Sequence, residues 1–280
     1  MSATILFLAL SAALLHASWN ALAKSGANPV FNIAAYQLLS SLLCIPFLPF
    51  VSMPGPTVWV LIAASTAIHT LYYFSLAQAY RSGDLSAVYP LLRGLAPVLV
   101  AVSAWLFAGE TLTAGNLLGV LIISVGIMSL TLGRSAQSGL SGRAIFWGCT
   151  TAVLIASYTV VDGSGVRAAV DPLSYIVWLF LVESIPVVMI VLATQRTAWF
   201  HYIGSHKAQI LFGGVASTAA YGMVIYAMSL GAMAVVSSLR ETSVIFATLI
   251  GAVFLGERFG VRRVIAAVMV TAGVIVMRLW

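Results

Sequence analysis

Asp84-LSAVYPLLRGLAPVLVAVSAWLFAG-Glu110 and Gly231-AMAVVSSLRETSVIFATLIGAVFLG-Glu257 are one segment written twice. A constant shift of 147 positions lays the second copy on the first without a gap. Arg93 then falls on Arg240, Phe107 on Phe254, Gly109 on Gly256 and Glu110 on Glu257. Each copy is long enough to cross a bilayer and carries an arginine in its interior. An arginine at that depth costs roughly 2.5–3.5 kcal/mol on insertion scales and marks a functional site by default. Matched charges in a duplicated chain point to a transport pathway between the copies.

Composition supports a membrane setting. The chain is 61% hydrophobic and 7% charged, with a mean hydropathy of +1.07. Soluble domains carry about 25% charged residues. Cys44 and Cys149 sit far apart in apolar runs, with no disulfide framework or metal-ligand spacing. The net charge of +6 is spread over short loops and does not call for nucleic acid. The first 23 residues end in Ala21-Leu22-Ala23, as a signal peptide does. No positive charge precedes them, and His16, Trp19 and Asn20 interrupt the apolar run, so they read as a first transmembrane helix.

A spanning helix needs about 20 apolar residues. Ten such stretches are expected, at 3–23, 30–50, 57–80, 85–107, 112–132, 143–162, 172–193, 207–229, 233–255 and 260–279. The longest loops, Gly133–Ser141 and Thr194–Lys207, leave no room for a soluble domain. The duplication reaches further. Ser124-Val125-Gly126-Ile127 matches Thr271-Ala272-Gly273-Val274, Ala17-Ser18-Trp19-Asn20 matches Ala156-Ser157-Tyr158-Thr159, and Pro29 and Pro172 each open a second helix. Residues 1–133 and 142–280 are therefore expected to be two five-helix repeats. Five is odd, so the second enters the membrane from the opposite side and the repeats are inverted.

Loop charge sets orientation. Lys24, Arg81, Arg134, Arg143, Arg196, Lys207, Arg258, Arg262 and Arg263 lie on one side, against Arg167 and Arg278 on the other. The rich side is expected in the cytoplasm, with both termini outside.

The chain resembles the drug/metabolite transporter superfamily, specifically its EamA-type ten-helix members. The resemblance rests on Ser18-Trp19-Asn20, on Tyr80-Arg81-Ser82-Gly83-Asp84-Leu85-Ser86, on Tyr89-Pro90-Leu91-Leu92-Arg93-Gly94-Leu95-Ala96-Pro97, and on the paired Gly109-Glu110 and Gly256-Glu257. It implies export or uptake of small polar metabolites and a place in a cell membrane, here expected to be a bacterial inner membrane. Several relatives have cytoplasmic termini, which conflicts with the charge reading.

Arg93 stands about 14 Å from one end of its helix and about 25 Å from the other at 1.5 Å per residue. Arg240 has the same depth in its own copy. A guanidinium keeps its charge and offers a fork that fits carboxylate or phosphate. The sharp reading gives one or both arginines a substrate anion. The bland one makes them structural, with Arg240 beside Glu241 or Glu183 and Arg93 on carbonyls freed at Pro90 or Pro97. Those prolines are expected to bend the fourth span and make it a gate. Ser237 and Val244 replace them in the copy.

His16 and Asn20, with Lys24, share one face of the first span, and Trp19 lies alongside. His69 and Tyr73 share a face of the third, next to Tyr72. Tyr89, Tyr158, Trp178 and Tyr221 are candidate cavity walls, and Trp105 belongs to the interfacial belt. Asp162 reads as an end cap. Glu183 and Glu241 are salt-bridge partners or proton carriers.

These residues point to a secondary transporter for a carboxylate- or other anion-bearing metabolite, such as an amino-acid-like compound. It is neither an enzyme nor a cofactor or metal binder. It acts as a monomer or homodimer in the lipid bilayer, with the proton as candidate coupling ion. An exporter of cationic or aromatic compounds that uses Glu183 and Glu241 is the main rival. A lipid-modifying enzyme lacks H-E-x-x-H or an acidic cluster, and no phosphate loop of an ATPase is present. A receptor or scaffold would not need matched buried charges.

Overall fold

The protein's structure, a computed structural model, describes residues 2–24, 28–82, 85–132, 141–255 and 260–279. The loop expected at Gly133–Ser141, except Ser141, and the Gly256-Glu257 pair lie outside the described residues, as do Asp84 and the side chain of Lys24. Among the described residues all regular structure is helical. In the first half the α-helices are α1 (Ala3–Lys24), α2 (Pro29–Cys44), α3 (Pro56–Ser82), α4 (Leu85–Ala108) and α5 (Ala114–Leu132). A 3₁₀ segment, Ile45–Phe50, follows α2. The second half holds α6 (Gly142–Ala168), α7 (Pro172–Ser205), α8 (Lys207–Leu230), α9 (Met233–Arg240), α10 (Ser243–Leu255) and α11 (Val261–Leu279). Eight helical segments are long and apolar enough to cross a membrane. The exceptions are the short α9 and α10 and α11, which carries Arg262, Arg263 and Arg278.

The two second helices start alike. Asn28 caps α2 by accepting from the Val30 and Phe31 N–H groups, and Pro29 takes the first helical position. Asp171 caps α7 by accepting from Ser174, and Pro172 follows it. Proline suits that place because its missing N–H would be unpaired anyway.

The second and the fifth helices of the two halves pack on their counterparts and run in opposite directions. In α5 and α11, Gly119 lies against Gly273 and Met277, while Gly126 lies against Ala266 and Met269. In α2 and α7, Asn32 meets Tyr202 whereas Gln37 meets Glu183. The remaining packing also respects exchange of halves: α3 lies on α6 as α8 lies on α1, and α4 lies on α6 as α9 and α10 lie on α1. The halves are thus interleaved, and the protein's middle is built from both.

Three expectations are corrected. The fourth span was expected to bend at Pro90 and Pro97 and its copy to run straight; α4 is one continuous helix through both prolines. The break falls in its copy, between α9 and α10, at Glu241-Thr242. There the Glu241 and Thr242 N–H groups turn to carbonyls three residues back, Ser238 and Leu239, at 3.1 Å each. The hydroxyls of Ser238 and Thr242 donate to the Ala234 and Leu239 carbonyls at 2.8 and 2.7 Å. Hydroxyls that compete for carbonyls bend helices, and this cluster does so without proline. The sixth span, expected to end at Asp162, runs on to Ala168, so Asp162 is no cap. The expected loop after residue 193 is helical to Ser205 with a kink at Gln195. Trp199 and Tyr202 anchor that extension on the Phe31 carbonyl and the Asn32 side chain, each at 3.1 Å.

The Gly109-Glu110 pair closes one end of the bundle. Gly109 ends α4 in the left-handed region, at φ 65°. Glu110 then accepts from the Met233 N–H at the start of α9, at 3.1 and 3.0 Å, and sits 2.6 Å from Arg167. Arg167 also donates to the Met228 and Gly231 carbonyls.

Candidate functional site

α4 and the α9–α10 break bring the two arginines of the duplicated segment to one carboxylate. Arg93 Nε lies 2.8 Å from one oxygen of Glu241, and Arg240 Nε lies 4.0 Å from the other. Residue exposures are 5% for Arg93, 4% for Arg240 and 0% for Glu241. The Arg93 contact is an ion pair rather than an aligned hydrogen bond. Nε and one terminal nitrogen of each guanidinium, both oxygens of Glu241 and the Ser237 hydroxyl have no hydrogen-bond partner in the protein. Buried polar atoms are nearly always paired, and a charge held in a low-dielectric interior needs both a counter-charge and hydrogen bonds. Two guanidiniums against one carboxylate leave an excess positive charge and open donors. That arrangement can take a small anion, and the unpaired Glu241 oxygens can accept N–H or O–H groups from the same molecule.

Aromatic rings surround the charges. Tyr89 lies under the Arg93 guanidinium, with the cation 5.9 Å from the ring centroid. Tyr158 of α6 is within electrostatic reach of both arginines and stacks on His69 of α3 at 4.0 Å between centroids. His16 of α1 is within electrostatic reach of both arginines. Trp19 stands edge-on to His16 at 5.2 Å and to Tyr36 at 6.0 Å.

Two more carboxylates stand behind His69. Glu183 of α7, 3% exposed, accepts from Gln37 Nε2 at 2.9 Å and from the Tyr73 hydroxyl at 3.4 Å. Its Oε1 is 3.8 Å from His69 Nε2. Asp162 of α6 accepts from the Tyr175 hydroxyl at 2.8 Å and from the Tyr221 hydroxyl. His69 Nδ1 faces the Ser65 carbonyl at 3.0 Å.

The structure therefore brings together Arg93, Arg240, Glu241, Tyr89, Tyr158 and His16, and sets His69, Tyr73 and Glu183 beside them. Asn20 departs from the expected polar stripe by donating to the His16 carbonyl on its own helix at 2.8 Å. Of the two carboxylates offered as partners of Arg240, Glu241 lies 4.0 Å from it, while Glu183 is held by Gln37, Tyr73 and His69. Pro90 and Pro97 are buried in α4 on either side of Arg93.

Sequence reasoning missed Gln37 and Ser65. Gln37 was legible, because an amide amid apolar residues of a spanning helix must face protein. Ser65 offered no signal, since a lone serine satisfies itself on its own helix. Asp162 was misplaced because its span was ended too early.

The model of the EamA-like transporter family matches the chain twice, over residues 3–132 and 142–279. No curated protein matches it by sequence. A solved structure described as "Crystal structure of protein" superposes with a TM-score of 0.78, covering 100% of this chain and 98% of that one at 18% identity. Likeness at that identity concerns the fold alone.

Proposed function

The chain belongs to the EamA-like transporter family, and from that premise we propose that it is a secondary transporter that moves an anion-bearing small polar metabolite by alternating access. α9 and α10 together make one broken crossing, which with α11 gives ten crossings in two inverted repeats. The site lies on the seam between them, with the proton as the coupling ion.

One observation carries the anion: buried guanidinium nitrogens of Arg93 and Arg240 lack hydrogen-bond partners while sharing a single carboxylate. A carboxylate or another oxyanion fits such a pair of forks. The rival reading, a cation exporter working through Glu183 and Glu241, is weaker because Arg93 and Arg240 already flank Glu241.

Thermal-shift screening of the purified protein against a metabolite panel tests the reading, since a ligand that binds only the folded state raises its melting temperature. Carboxylates or other anions are expected among the stabilising compounds. Arg93→Ala and Arg240→Ala should each weaken their binding about tenfold to a hundredfold, the worth of a charge-assisted hydrogen bond. Glu183→Gln should leave binding within the panel class. Stabilisation only by cations, spared by the arginine variants and lost in Glu183→Gln, would hand the case to the rival.

A further inference from the structure

We propose that His69 and Glu183 form a dyad that holds a single proton between them, linked to the arginine site through Tyr158. The orientation of the imidazole carries this. Nδ1 lies 3.0 Å from the Ser65 carbonyl and 3.1 Å from the Ser65 hydroxyl; the carbonyl can only accept and the hydroxyl can accept too, so a hydrogen on Nδ1 suits both, whereas a bare Nδ1 would face the carbonyl lone pairs. In the neutral ring Nε2 is then a bare lone pair. It faces a Glu183 oxygen at 3.8 Å with both side chains about 95% buried. A lone pair turned to a carboxylate in hydrocarbon is repulsive. A proton on either Nε2 or the carboxyl turns the contact into an attraction.

The charge tally agrees. Among the described residues, the buried charged side chains around the site are Arg93, Arg240, Glu241, Asp162 and Glu183. Two positive groups face three negative ones, and one added proton brings the sum to zero. Glu241 has the arginines. Asp162 has the Tyr175 and Tyr221 hydroxyls. Glu183 likewise has two neutral donors, Gln37 at 2.9 Å and the more distant Tyr73 hydroxyl at 3.4 Å, and it is the carboxylate that His69 Nε2 faces. The dyad is thus where the missing proton belongs. The other titratable groups around it are Tyr72 and Tyr73 on α3, Tyr158 and Asp162 on α6, Tyr175 on α7 and Tyr221 on α8. Arg93 and Arg240 stand across the cluster. Tyr158 stacks on His69 and lies within electrostatic reach of Arg240 and Arg93, as His69 does of Arg240, so charge arriving at the arginines is felt at the dyad. Proton binding itself needs no substrate. Only its use in coupling rests on the transport reading.

The probe is the proton, applied to the purified full chain without ligand. Infrared difference spectra across a pH titration are expected to show a protonated-carboxyl band that is lost in Glu183→Gln and kept in Asp162→Asn. Nitrogen-15 histidine NMR of the wild type should show one ring gaining Nε2–H character over the same pH range, which needs no variant to fold. Arg240→Ala, which removes a nearby positive charge, should move the midpoint up by about half a pH unit or more. A band that survives Glu183→Gln, or no titrating carboxyl and histidine at all, would overturn the dyad. An unmoved midpoint in Arg240→Ala would overturn its link to the arginines. None of these outcomes depends on what the arginines bind, which the panel screen decides separately.

Discussion

Glu241 holds the centre together as a single carboxylate between two guanidiniums. Removing one partner of a buried pair typically costs about 3–5 kcal/mol, because the other charge is stranded. Glu241→Gln should therefore lower the melting temperature in detergent clearly. Adding Arg93→Met, which removes the stranded charge, should recover much of the loss. Four melting curves, for the wild type, both single variants and the double variant, measure the coupling. Strictly additive losses would mean that the 2.8 Å contact is not the interaction that matters. At this scale the sequence was partly legible. Arginines in apolar spans announce themselves by their cost, as Arg93 and Arg240 did. Glu241 was legible as a partner for Arg240, its neighbour in sequence, but its closer contact with Arg93 was not, because that contact joins positions far apart in the chain.

Elements were legible in existence and illegible in their breaks. Hydropathy located the long helices, since a spanning segment has to be apolar and long enough to cross. Proline drew attention to α4 because it deletes a hydrogen bond locally. The actual break at Glu241-Thr242 arises from hydroxyl competition together with the tertiary pull of Arg93, and neither has a loud local sign. The α5–α11 contact shows the opposite case, where small residues record close packing. A Cβ at Gly119 would stand 2.8 Å from the Gly273 carbonyl, and one at Gly273 equally close to the Gly119 carbonyl. Backbone on both sides cannot yield as a side-chain tip can, and helices in lipid associate through such close approach. Gly119→Val is expected to destabilise the protein by about 1–3 kcal/mol, the usual cost of overpacking. Gly55→Ala, with nothing within 4 Å, serves as the control. Monodispersity and melting temperature after extraction give the readout, and equal behaviour of the two variants would deny that this crossing is tight.

For the whole molecule, interleaved halves make the two faces of the bundle unequal only through their loops. Ser52 lies against Ser174 and Trp178, and Glu110 against Arg167, so these segments share one end. The start of α1 joins them, because Ile5 lies beneath Gly231. Ser141 bonds the Ser82 carbonyl at the other end. Lysine and arginine crowd the Ser82–Ser141 end, including Arg81, Arg143, Arg196 and Lys207, while Arg167 on the opposite end is tied to Glu110. Positive loops are retained in the cytoplasm, so the prediction from the charge pattern is Ser2 outside and Ser141 inside. Both residues are exposed. With Cys44 and Cys149 replaced by alanine, Ser2→Cys should react with a membrane-impermeant maleimide on intact cells. Ser141→Cys should react only after permeabilisation. The reverse labelling would reject this orientation and agree with relatives whose termini face the cytoplasm. Because the helices of the two halves correspond in opposite directions, that result would exchange which face Glu110 and Arg167 close, and leave Arg93, Arg240 and Glu241 on the seam between the halves.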